Sequence, residues 1–319
     1  MPEQALGPGV FADMVIRWVL AHPENSVTMS LSISLIRLLL VVCSLAGVSY
    51  SHAATITTPR SDVELKVPEN YSAETPRPLV LLLHGYTSSG AGQDSYMKFS
   101  ALVNEYDFLL LLPDGTVEKQ GQKNRFWNAT LACCNMQASD VDDSTFLADL
   151  IAETKKQYAV DENQIYLIGH SNGGFMSHRL AYDHPETIAA IASLAGAAPS
   201  ELSGTPPTRP VNILQIHGSE DSTIKYEGGE IRGAAYASAH QTMESWVNYL
   251  AATPATQVTD ARLDLDVSIA GNETTVTHFD AQGNLALWTI QNGAHVPNLS
   301  DTFNRHVIEW LFAHPKSTL

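Results

Sequence analysis

Gln164-Ile165-Tyr166-Leu167-Ile168-Gly169-His170-Ser171-Asn172-Gly173-Gly174 is the stretch that decides the fold. Its first five residues form a short apolar run, the length of a buried strand and too brief for a helix. Beyond the glycines, the chain as far as Tyr182 returns to helical spacing. Between them stands Gly169-His170-Ser171-Asn172-Gly173, a G-x-S-x-G pattern at a strand-to-helix turn. Such a turn holds its serine in a strained conformation, hydroxyl outward, while the flanking glycines let strand and helix approach closely. The bland alternative is a glycine-rich turn with a bystander serine. The strand before, the helix after and the extra Gly174 favour a nucleophile.

The same alternation extends in both directions. Leu79–Leu83, Phe108–Leu112, Ile188–Leu194 and Val211–Ile216 are short apolar runs that predict buried strands. Leu263–Val267, Val276–Phe279 and Leu285–Ile290 predict three more, the last two joined by a turn at Gly283. Helical spacing covers Asp142–Tyr158, Gly174–Tyr182, Ser238–Leu250 and Asp301–Ala313. The chain from His84 to Gly90 reads as a loop. Strands alternating with helices predict an α/β fold, a mostly parallel doubly wound sheet with helices on both faces. No linker separates two domains, so residues 54–319 are expected to be one catalytic domain.

Residues 1–53 read as a leader. Leu38–Val48 is an uncharged apolar run after Arg37, followed by Ser51-His52-Ala53, which gives a signal-peptide pattern with its core at about residues 29–53. The run is shorter than the roughly 20 residues of a membrane span, so no membrane anchor is expected once it is removed. Met29 is an alternative start to Met1. The protein is expected to be secreted, extracellular or periplasmic.

The 319 residues carry a formal net charge of −16 with only 16% charged residues. Nearly all the acidity lies after the leader, which holds Glu3, Asp13 and Glu24 against Arg17 and Arg37. A field this negative repels phosphate and excludes a nucleic-acid partner. An apolar content of 44% excludes disorder. Of three cysteines, Cys133 and Cys134 lie beyond the leader; as neighbours they are either two buried thiols or a disulfide within a small ring. Asp140-Val141-Asp142-Asp143 lacks the glycine and the distal glutamate of a calcium loop and reads as a helix N-terminus. No spacing for a metal or a nucleotide cofactor occurs, and none is expected.

A serine nucleophile needs a base, and the base needs a carboxylate to orient it. In doubly wound enzymes of this kind these follow in the order acid, then histidine, each on a loop after a strand. Asp221, after Val211–Ile216, and His295, after Leu285–Ile290, fit that order; Glu220 is the competing acid. His240, His278 and His306 fall inside predicted helices or strands. The two oxyanion donors are expected to be the amides of Asn172 and Tyr86, the latter in His84-Gly85-Tyr86. The Tyr86 ring is placed at the cleft mouth, where it would stack on an aromatic acyl group.

PLVLLLHGY, LLLPDG, VDENQIYLIGHSNGG, LQIHGSEDSTIKYEGG and the closing GAH together resemble the secreted polyhydroxybutyrate depolymerase and feruloyl esterase family of α/β-hydrolases, from about Pro78 to the last helix. The Gly85-Tyr86-Thr87 loop is also similar to that of bacterial cutinases and polyester hydrolases. The resemblance implies the α/β-hydrolase fold, a Ser171–Asp221–His295 triad and oxyanion amides at Tyr86 and Asn172. It places His170 beside the acyl site and Trp127 near the cleft, with core packing the alternative for Trp127. It further implies a monomeric serine esterase without cofactor, acting on hydroxycinnamoyl esters or on polyester and polyhydroxyalkanoate bonds. The same triad also suits a serine peptidase or an acyltransferase; a non-catalytic binding module would lack a triad member, and none is missing. The family's depolymerases often add a linker and a polymer-binding module, which the sequence to Leu319 does not contain, so weak attack on crystalline polymer is expected.

Overall fold

The computed structural model describes residues 52–199, 202–250, 256–281 and 283–317. Apart from His52 and Ala53, the expected leader lies outside them, as does residue 282 of the turn expected at Gly283. Strand β1 (His52–Thr57) pairs antiparallel with β2 (Asp62–Val67). The chain continues through β3 (Arg77–Leu83), α1 (Gly90–Met97), β4 (Leu109–Leu112), α2 (Asp143–Gln157), β5 (Val160–His170) and α3 (Asn172–Asp183). Next come β6 (Ala190–Leu194), β7 (Asn212–Gly218), α4 (Ala239–Tyr249), β8 (Thr256–Leu263), β9 (Thr274–Ala281), β10 (Gly283–Ile290) and α5 (Phe303–Phe312).

The main sheet has the order β1-β2-β4-β3-β5-β6-β7-β10-β9-β8. Its six central strands, β4 to β10 in that order, are mutually parallel, and the antiparallel pairs are confined to the two edges. Alternation along each strand sorts the side chains into two layers. Leu79, Leu81, Ile165, Leu167, Ile213 and Leu285 face one side, against Phe146 of α2, Phe175 of α3 and Trp246 of α4. Val80, Leu82, Ile168, Leu214 and Ile216 face the other, against Met97 of α1 and Phe303 and Leu311 of α5. This burial on both faces is why the strands read as unbroken apolar runs.

The helix ends follow their capping residues. Asp142 accepts from the Thr145 amide at 3.1 Å and starts α2, as Asp140–Asp143 predicted. Ser238 and Gln241 form a reciprocal capping box at α4.

Three elements depart from the sequence reading. The strand expected at Leu263–Val267 ends at Leu263, because the amides of Leu265 and Asp266 donate to Glu273 Oε1 and leave the ladder. Helix α1 begins where a loop was expected to end; Ser89 caps it through the Gly92 amide, but its eight residues carry almost no apolar spacing. The β1–β2 hairpin was also not foreseen, since it opens inside the leader pattern. A cut after Ala53 falls between the second and third residues of β1.

Candidate active site

Ser171 sits between β5 and α3 with φ +54° and ψ −119°, a region that residues with a side chain rarely occupy. Close packing holds it there. A Cβ on Gly173 would lie 2.1 Å from the Leu83 carbonyl oxygen, and one on Gly169 would lie 2.1 Å from the Gly173 oxygen. Only glycine lets β3, β5 and α3 meet at this distance, which leaves the Ser171 hydroxyl at the carboxyl end of the sheet.

The loops after β7 and β10 bring the two partners to it. His295 Nε2 lies 2.9 Å from Ser171 Oγ, and His295 Nδ1 lies 2.7 Å from Asp221 Oδ2. Asp221 is buried, and its Oδ1 accepts from the amides of Thr223 and Ile224 at 2.8 and 2.9 Å. Burial works to raise the Asp221 carboxyl, but hydrogen bonds from His217 and His295 outweigh it and hold the group well below the usual carboxylate range. Glu220 takes no part in this contact. Serine, histidine and carboxylate are thus in line for proton transfer from Ser171 to His295, with Asp221 stabilising the imidazolium that results.

Two backbone amides in the segments that meet at Ser171 lack an acceptor among the described residues. In the loop after β3, the Gly85 amide is taken by Gln93 Oε1, that of Thr87 by the Arg125 carbonyl and that of Ser88 by the Gly85 carbonyl. The Tyr86 amide has no acceptor among the described residues, nor has the Asn172 amide at the start of α3. Both loops are braced from behind. Asn172 Oδ1 accepts from the Trp127 amide at 2.7 Å, while its Nδ2 donates to the Trp127 carbonyl at 3.0 Å. The Trp127 indole donates to the His84 carbonyl, and His84 Nε2 accepts from the Gly115 amide.

Of the two readings of Trp127, cleft or core, the fold takes the core: the ring is fully buried, with its backbone bonded to the Asn172 side chain and its indole to the His84 carbonyl. Sequence reading missed this brace because a tryptophan in a polar loop carries no periodic signal. The Tyr86 hydroxyl donates to Glu118 Oε1 at 2.6 Å and accepts from Asn124, so its ring is fixed at one edge. The His170 ring is buried between Tyr96 and His295. Its Nε2 lies 3.0 Å from the His295 carbonyl, and Tyr96 holds the Pro297 carbonyl, so both residues pin the histidine loop. Cys133 and Cys134 are buried and joined as a disulfide.

Burial pushes His170 and His178 down to about 4, against upward pulls from the His295 carbonyl and from Gln215 respectively. An unfolded histidine takes up its proton near pH 6.5, so below that value the unfolded chain binds more protons than the folded one. Stability is then present above about pH 6.5 and lost as the pH falls towards about 4, by at most about 3 kcal/mol for each histidine. Asp221 acts in the same direction at lower pH still. The melting temperature at pH 4.5 is expected to lie on the order of 10 °C below that at pH 7. Equal values would contradict neutral burial of the two rings.

The pattern of the phospholipase/carboxylesterase family matches residues 70–258, more than half of the sequence. The chain belongs to the phospholipase/carboxylesterase family. Its similarity to the putative esterase NocK of Nocardia uniformis subsp. tsuyamanensis is 30% identity over 48% of this chain and 42% of that protein. With feruloyl esterase B of Piromyces equi it shares 28% identity over 52% of this chain and 30% of that protein. The aligned segment thus spans less than half the length of either relative. The acetyl xylan esterase structure from Aspergillus awamori superposes with a TM-score of 0.58 over 82% of this chain and 99% of that one, at 15% identity. That likeness establishes the α/β-hydrolase fold expected from the alternating strands and helices.

Proposed function

We propose that the protein is a secreted serine carboxylic-ester hydrolase that works through an acyl-serine intermediate. The observation that carries this reading is the continuous Ser171–His295–Asp221 hydrogen-bonded line at the carboxyl end of the sheet, in a chain of a carboxylesterase family. In this reading His295 takes the proton of Ser171 as its oxygen adds to the ester carbonyl, and Asp221 holds the imidazolium. The oxyanion rests on the Tyr86 and Asn172 amides. The alcohol leaves with the proton from His295, and water, deprotonated by the same ring, then releases the acid. Each oxyanion donor contributes about 3 kcal/mol to lowering the barrier.

Hydroxycinnamoyl esters are the proposed substrate class. Support comes from the feruloyl esterase relative. Export is supported by the apolar run Leu38–Val48 and by the Cys133–Cys134 disulfide, a bond kept in oxidising compartments. Initial rates on methyl ferulate, polyhydroxybutyrate film and an aromatic polyester film test the substrate assignment. The expected result is a kcat/KM on methyl ferulate at least tenfold above that on methyl acetate. Equal rates on the two methyl esters, or faster release from either film, would overturn it.

A further inference from the structure

Five polar side chains run through the apolar layer between the sheet and helices α3 and α4, and they end at the triad acid. Trp246 Nε1 lies 3.0 Å from His178 Nδ1, and His178 Nε2 lies 2.9 Å from Gln215 Oε1. Gln215 Nε2 lies 2.8 Å from the Gly196 carbonyl and 3.2 Å from His217 Nδ1. His217 Nε2 in turn lies 2.7 Å from the Ile224 carbonyl and 3.3 Å from Asp221 Oδ2. Trp246, His178, Gln215 and His217 are all buried to within 1% of full exclusion from solvent.

The direction of every bond in this line is fixed by groups that have a single role. An indole N–H can only donate, so His178 Nδ1 accepts, its proton is on Nε2, and Gln215 presents its oxygen to it. The Gly196 carbonyl can only accept, which independently puts the Gln215 amino group on that side. That group then donates to His217 Nδ1, so the His217 proton is on Nε2; the Ile224 carbonyl, again an acceptor only, requires the same. Three separate anchors on three elements thus give one arrangement.

We propose that this one-way relay fixes the His217 proton on Nε2, where it is held by the Ile224 carbonyl at 3.3 Å from Asp221 Oδ2, making His217 a positioning residue for the triad acid. The proposal rests on the assignment of Ser171, His295 and Asp221 given above. An Nδ1–H on His217 would stand against the Gln215 amino group, donor against donor, so the relay selects the Nε2–H tautomer. His217 and His295 share the same oxygen, Oδ2, so the His217 contact also limits how strongly that oxygen holds the His295 proton. Tyr226 stands edge-on to His217, but its hydroxyl is engaged with Thr289 and His240 and does not compete.

Long-range proton–nitrogen correlation on the nitrogen-15-labelled wild-type protein reads the imidazole tautomers directly. Both His178 and His217 are expected as Nε2–H tautomers at pH 8; an Nδ1–H tautomer at either ring overturns the relay. The coupling to the triad is read from the kcat/KM profile of His217→Phe on p-nitrophenyl acetate. Loss of the shared donor is expected to move the acid limb upward by about half a pH unit, and His217→Gln, which keeps a donor, is expected to restore it. An unmoved limb in folded His217→Phe overturns the positioning role. If His217→Phe does not fold, the wild-type tautomers decide. Should Ser171→Ala be inactive while the limb stays put, the relay alone fails; an active Ser171→Ala removes the reading beneath it.

Discussion

Ser171→Ala is expected to lower kcat for p-nitrophenyl acetate by on the order of 10⁵-fold or more, with the circular dichroism spectrum and melting temperature unchanged. Among the described residues the hydroxyl is the only nucleophilic atom in hydrogen-bond contact with His295 Nε2, and without it no acyl intermediate can form. The fold should tolerate the change. The strain at φ +54° is held by Gly169 and Gly173 packing against the Gly173 and Leu83 carbonyls, not by the Ser171 side chain. Residual hydrolysis would reflect the oxyanion amides acting on bound ester with water as nucleophile. Turnover within tenfold of wild type would remove Ser171 from the mechanism.

Asp221→Asn is expected to lower kcat by about 10⁴-fold while leaving KM nearly unchanged. The loss follows from where the amide must point. The Oδ1 position already receives the amides of Thr223 and Ile224, so the amide oxygen stays there and the amino group takes the place of Oδ2. That amino group would face two donors, His295 Nδ1–H and His217 Nε2–H. His217 is fixed by the Ile224 carbonyl, so His295 gives way: it moves its proton to Nε2 and can no longer accept from Ser171. Steady-state kinetics and the His295 tautomer check this together. A variant within tenfold of wild-type kcat would mean that Asp221 does not set the state of His295.

The triad was legible because its chemistry depends on local punctuation. Gly-x-Ser-x-Gly between an apolar run and a helical pattern announces a turn, and acid and histidine each follow an apolar strand. The preference for Asp221 over Glu220 rested on resemblance. Geometry gives it a reason, since Asp221 alone is buried between two histidine rings with both oxygens engaged.

Other functional features had no such signal. His170 follows directly from the strand and looked like a wall of the acyl site; in the fold its ring turns to the carbonyl of a residue 125 positions away. Trp127 and Asn172 form a reciprocal pair across 45 residues, and neither sequence neighbourhood hints at the other. Helix α1, six of whose eight residues are small or polar, is set by a Ser89 cap that reads as loop chemistry.

By itself the sequence determined the layered α/β architecture, and it named the proposed nucleophile and the order of its partners. Apolar periodicity and glycine placement act over a few residues and need no knowledge of what packs opposite. Only the tertiary structure decided which atoms meet. It placed Trp127 behind the oxyanion loop, His170 on the histidine loop, and His178, Gln215 and His217 in one directed line to Asp221. Those contacts join side chains distant along the chain, and their directions follow from donors and acceptors that folding alone brings face to face.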